Sequence, residues 1–141
     1  MPQPNTHLLI IQQAMIDYTL KHGLNYNSIG NILEHYSNHA YLGSITPDIF
    51  YFKEILSKKK DYENFANIMH QEGSLDVYCR MLEKIKKSDP KDQEKMKAFA
   101  YGMYSHVVAD CVIHPTVYRI SRDHWRTHPL ETAAAHKKLE T

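Results

Sequence analysis

Apolar residues recur three and four positions apart along most of the chain, and alternating β-branched runs are rare, so the pattern predicts helices. Leu8, Ile11, Met15 and Tyr18 line one face of a first helix. It opens with Asn5 or Thr6 as N-cap and stops at Gly23. Ile29, Ile32, Leu33 and Tyr36 mark a second helix that starts near Asn27 or Ser28. Gly43 and Pro47 then interrupt the pattern, which puts Asp48 in a loop or at a helix start. A short helix over 61 to 70 ends at Gly73, and Ser74 caps the next, whose stripe is Leu75, Tyr78, Met81, Leu82 and Ile85. Asp89 caps a helix with Pro90 at its first position, predicted to end before Pro115. "TVYRISRDHWR" reads as a connection, and Thr127 as the cap of a last helix.

The expected fold class is all-α, a multi-helix bundle in a single domain over residues 1–141. The formal charge of +1 gives no electrostatic footprint for nucleic acid. Cys79 and Cys111 make no disulfide framework, and Cys111, flanked by apolar residues, reads as a core position. The Lys58–Lys60 run reads as a solvated turn. No run reaches the roughly 18 to 20 apolar residues of a membrane span. The opening "MPQPNTHLLIIQQAMIDY" lacks the basic start of a signal peptide, and Gln12 and Gln13 interrupt its apolar run. A cytoplasmic location is therefore expected, or a secreted one if the chain is a processed product.

The outlier in composition is 10 histidines, spread over the chain. His106, Asp110 and His114 stand at strict four-residue steps in "AYGMYSHVVADCVIHPTVY". On a helix, residues four apart sit one above the other, so an imidazole and a carboxylate face the same point in space. Buried charge is costly unless paired or bound to a metal, and zinc accepts this donor mix. A buried His–Asp hydrogen bond is the simpler alternative for one such pair. The spacing recurs at His136 and Glu140 in "HKKLE", which also suits a solvated surface pair. His7 beside "LLII", His70 in "NIMHQEG" and Asp48 after Pro47 are further candidates, each also readable as an ordinary helix-end residue.

Taken in order, "THLLIIQQA", "AYLGSITPDIF", "FANIMHQEG", "FAYGMYSHVVADCVIHP" and "HKKLE" resemble the zinc-dependent phospholipase C family over residues 6 to 140. The resemblance implies an all-α domain with up to three zinc ions in a cleft, on an architecture shared with single-strand nucleases. It implies that Asp48, His70, His106 and Asp110 hold one zinc, and that His114, His136 and Glu140 hold a second. His7 would bind a third, with Asp110 bridging from the first site and Asp48 a candidate general base. Secreted members bind the third zinc through a mature N-terminal tryptophan, whereas this chain opens "MPQPNT" and has Trp125 alone. Two zinc ions, or a weakly held third, are therefore expected, and His35 or His39 could substitute.

These expectations describe a zinc-dependent phosphodiester hydrolase acting on phospholipid or a related ester. No GxSxG or other covalent nucleophile is evident. Phe50, Tyr51, Phe52 and Tyr62 lie near Asp48 and could line a headgroup or base pocket, although most aromatics in a helical domain are core. The near-neutral charge favours a lipid or small ester over nucleic acid. The alternatives are a single-strand nuclease and a non-catalytic metal-binding protein on the same fold.

Overall fold

The computed structural model describes residues 4–23, 29–56, 68–70 and 73–127, with every side chain among these except those of 4, 51–56 and 121–127. The protein is all-α: no strand occurs among the described residues. The helices are α1 (Pro4–His22), α2 (Ile29–His35), α3 (Ser37–Leu56), α4 (Ser74–Lys86) and α5 (Pro90–Thr127), and residues 68–70 are also helical.

Several ends follow from local chemistry. Gly23 takes φ +67 and its N–H bonds to the Thr19 carbonyl, closing α1 in a conformation that glycine adopts without penalty. At the start of α5 the Asp89 carboxylate accepts from the Lys91 N–H at 3.1 Å, ahead of Pro90. Other ends differ from the sequence expectation. Asn5 and Thr6 lie inside α1, which begins at Pro4, and Ser74 is the first residue of α4, with Gly73 before it.

The larger differences are at two prolines. Neither Pro47 nor Pro115 ends a helix: α3 runs through the first, placing Asp48 mid-helix, and α5 through the second. "TVYRISRDHWR" is therefore helix rather than connection, and Thr127 is itself helical. An interior proline costs about 3 kcal/mol or more, because it removes one hydrogen bond and crowds the carbonyl four residues back. At Pro47 that cost is offset by packing that buries the ring completely. At Pro115 both the proline and Cys111, whose carbonyl loses its donor, are exposed, so water can take the vacated bond. Cys111 is thus a surface position, not a core one.

The core holds Ile11 of α1, Leu33 of α2, Ala40 of α3 and Ala98 of α5, with Met15, Ile32, Tyr36, Tyr41 and Tyr101 packed around them. Beyond it α3 and α5 run parallel and nearly touch. A Cβ on Gly102 would meet the Ala40 carbonyl oxygen at 1.9 Å, and one on Gly43 would meet the Phe99 carbonyl oxygen at 2.1 Å. Two glycines facing each other across the crossing therefore bring backbone against backbone. Ala40, Ser44 and Ala98, all fully buried, add no bulk to hold the helices apart. α1 lies antiparallel to this pair, with His7 at the Asp48 end and Ile11 in the core.

The crossing yields a testable consequence. Gly102→Ala gains about 1 kcal/mol of helix propensity, yet its methyl group cannot coexist with the Ala40 carbonyl. We expect a net loss on the order of 2 kcal/mol in urea unfolding. A midpoint at or above that of the wild type would show that α3 and α5 stand further apart.

Candidate metal centre

One step beyond the glycine crossing, the parallel helices bring Ser44 opposite His106. The Ser44 carbonyl stands 2.7 Å from His106 Nδ1, in a fully buried contact. A carbonyl only accepts, so Nδ1 carries the proton and Nε2 of a neutral ring presents its lone pair. Metal-binding histidines are commonly oriented in this way, by a backbone carbonyl on the opposite nitrogen. The hydroxyl of Ser44 bonds back to the Tyr41 carbonyl, leaving this role to its main chain.

His106 Nε2 faces three other groups. His70 Nε2 is 3.1 Å away, Asp110 Oδ2 3.3 Å and Asp48 Oδ1 3.9 Å. His70 Nε2 in turn lies 3.1 Å from Asp48 Oδ1 and 3.6 Å from Asp110 Oδ2. Both nitrogens therefore face an oxygen of each carboxylate, delivered by α3, the 68–70 turn and α5. Tetrahedral zinc with bonds of about 2.0 to 2.1 Å separates its ligand atoms by about 3.3 to 3.4 Å. The spacings of 3.1 to 3.9 Å bracket that value.

The second oxygens of the same carboxylates turn toward α1. His7 Nε2 is 3.5 Å from Asp110 Oδ1 and 3.8 Å from Asp48 Oδ2, and the His7 ring stacks on His106 with centroids 3.7 Å apart. His114 Nε2, one turn along α5, is 3.4 Å from Asp110 Oδ1. Asp110 thus points one oxygen at the His70–His106 pair and the other at His7 and His114.

Hydrogen bonding does not account for this second cluster. His7 Nδ1 and Nε2, Asp48 Oδ2 and Asp110 Oδ1 are all buried, and none has a hydrogen-bond partner. Each such atom costs about 1 to 3 kcal/mol. Ion pairing is no better an account, although the distances allow it. Burial, with His106 next in effect, pushes the His7 imidazole down to about 4 against the opposing pull of Asp110 and Asp48. At neutral pH His7 is therefore an uncharged ring set among carboxylate oxygens. For Asp110, burial pushes the carboxyl up, but the hydrogen bond and charge of His106, with His7 and His114, outweigh it and hold the group below its usual range. That His106–Asp110 hydrogen bond forms only when His106 is an imidazolium, because the Ser44 carbonyl already claims the Nδ1 proton. A divalent cation resolves these conflicts together, since lone pairs and carboxylates can all point at it. Two overlapping groups could hold one: His7, Asp48 and His106, and His70, His106 and Asp110.

Six of the eight residues singled out in the sequence come together here: His7, Asp48, His70, His106, Asp110 and His114. His136 and Glu140 lie outside the described residues, as do the Lys58–Lys60 run and the side chains of Tyr51, Phe52 and Tyr62. His35 and His39 are exposed on α2 and α3 and meet the Tyr36 ring edge-on instead. Ser44 was missed, because its contribution is a main-chain carbonyl. The available signal was Gly102 one turn before His106, marking a close approach of another backbone.

Fold and site together define a helical protein with a buried, mixed imidazole–carboxylate cluster suited to zinc. Residues 6–141 match the zinc dependent phospholipase C family, and the chain belongs to it. No curated protein and no solved structure gives a significant match. Membership supports zinc as the metal and a zinc-dependent role of the phospholipase C type. Among the described residues no helix is long and apolar enough to cross a membrane.

The depressed His7 pKa fixes a pH dependence. Between pH 6.5 and about 4 the unfolded chain binds a proton that folded His7 refuses, so stability falls as pH falls through that window. The loss amounts to about 3 kcal/mol for chelator-treated protein, and Asp110 acts in the same direction at lower pH. Urea midpoints at pH 7 and pH 4.5 should differ accordingly, and His7→Asn should flatten the difference. Equal wild-type midpoints would mean that His7 titrates like a solvated imidazole.

Proposed function

We propose that the protein, as one domain over residues 1–141, is a zinc-dependent phosphodiester hydrolase of the phospholipase C type with at least two metal positions. The observation that carries this is the division of two carboxylates between two sets of imidazoles. Asp48 and Asp110 each turn one oxygen to His70 and His106, and the other to His7. His70, His106, Asp48 and Asp110 would hold the first ion. His7, His114 and the remaining oxygen of Asp110 would contribute to a second position, and His136 and Glu140 are proposed to complete the set.

Bound zinc supplies an activated water near neutral pH and neutralises charge developing on the phosphate oxygens. The chain's own residues then have distinct tasks. Asp110, with one oxygen toward each set of imidazoles, would bridge the two positions and fix their separation. Ser44 holds His106 in the tautomer that offers Nε2. Asp48 Oδ1 is engaged with His70, whereas Oδ2 has no hydrogen-bond partner and is the acceptor available for a proton from the attacking water. His70, Asp110 and His114 are 11%, 13% and 16% exposed, while His7 and His106 are 1% exposed. Substrate therefore enters from the Asp110–His114 side.

Elemental analysis of protein purified without chelator should find two or three zinc ions per chain. His106→Ala should lose metal and melt at a lower temperature, because the ion ties α5 to α3. Asp48→Asn should slow hydrolysis of phosphatidylcholine or bis(p-nitrophenyl) phosphate by about 100-fold or more. Zinc bound without turnover of either substrate would point to the non-catalytic alternative. Nucleotide release from single-stranded DNA as the sole activity would point to the nuclease. Failure to take up zinc would end the reading.

A further inference from the structure

The outward face of α5 has a composition that the metal centre does not use. Every exposed position from 104 to 118 is uncharged: Tyr104, Val108, Cys111, Val112, Pro115 and Tyr118, with Thr116 beside them. Val112 is 69% and Tyr118 60% exposed. The only charged or imidazole side chains between Ala98 and Tyr118 are His106, Asp110 and His114, all turned inward to the cluster. In a chain with 23% charged residues, a solvated helix face of four turns would ordinarily carry several. Cations bound the strip instead, with Lys97 before it and exposed Arg119 after it. Leu75 on α4, an exposed member of a predicted core stripe, widens it where Tyr78 packs on Tyr104 at 5.0 Å.

The strip also shares an edge with the metal centre. The Tyr118 ring lies against His114, centroids 5.3 Å apart, and His114 is the most exposed of the clustered residues. The uncharged face and the open side of the site are thus flanks of one helix, about 10 to 12 Å across. We propose that the outer face of α5 from Tyr104 to Tyr118 docks on a phospholipid surface, seating the Asp110–His114 opening at headgroup level. This inference rests on the phospholipase C reading above. Tyrosines at both ends match the preference of such rings for the boundary between acyl chains and water. Lys97 and Arg119 complement the phosphate oxygens of that layer. A helix lying in the interface sinks its apolar side about 5 to 10 Å, which brings a phosphodiester alongside the flank that carries the site.

The test is flotation of the full-length protein with phosphatidylcholine vesicles containing phosphatidylglycerol, compared with Val108→Glu/Val112→Glu. Leu20→Glu, at an exposed α1 position, serves as the control. We expect wild type and the control to float and the double variant to lose binding by about tenfold or more. Its zinc content, melting temperature and hydrolysis of bis(p-nitrophenyl) phosphate should stay unchanged. Equal flotation of the double variant, or no flotation of the wild type, would overturn the proposal. So would a dimer dissolved by the double variant without vesicle binding, since a second copy would then cover the face. A large drop in melting temperature without wild-type binding would assign the face to packing within the chain. Flotation through this face with no hydrolysis of either substrate would leave the docking surface standing and refute the hydrolase. Hydrolysis of the soluble ester without flotation would do the reverse.

Discussion

The Ser44 carbonyl and His106 Nδ1 can meet at 2.7 Å because α3 and α5 have no side chains between them at Gly43 and Gly102. That backbone contact is the constraint on which the rest depends. It selects the His106 tautomer, sets the ring's rotation and places Asp48 and Asp110 at matching heights on parallel helices. Burial then does the electrostatic work. Away from water, the neutral His7 ring and the unpartnered oxygens of Asp48 and Asp110 do not satisfy one another, and the arrangement favours a cation. Helix packing and metal preference are therefore one property seen at two scales.

Sequence and structure agree where the information is local. The four-residue steps of His106, Asp110 and His114 survive any packing of the helix that carries them, and the Asp89–Pro90 start and the Gly23 stop depend on a few adjacent residues. They part where tertiary contacts override local preference. Pro47 and Pro115 are strong breakers in isolation, but one is paid for by complete burial and the other by solvent access to the vacated carbonyl. Cys111 was misread because apolar neighbours in sequence are not neighbours in space on a helix whose outer face is itself uncharged.

The clustered residues divide the same way. Spacing alone could bring together only members of α5. Nothing in composition or periodicity could bring His7, Asp48 and His70 to them, since these contacts join different helices. Resemblance to a family named those positions, and the folded chain brings the six described ones together, five of them in two overlapping groups that could hold a metal. Ser44 shows the opposite failure, in which a residue acts through an atom that every residue has.

The near-contact of α3 and α5 also imposes an order on assembly. His106 and Ser44 are 62 residues apart in the chain, and His106 and His70 are 36 apart. Contacts of such separation form late, after the loop between them has closed. As the polypeptide leaves the ribosome, His7, Asp48 and His70 are therefore made long before the helix that positions them as a set. A nascent chain lacking residues 106–114 has His7, Asp48 and His70 but not His106 or Asp110, so neither group able to hold a metal can form before α5 is made. Completion of the donor set is thus a closing event of folding, reached only once α5 has packed on α3.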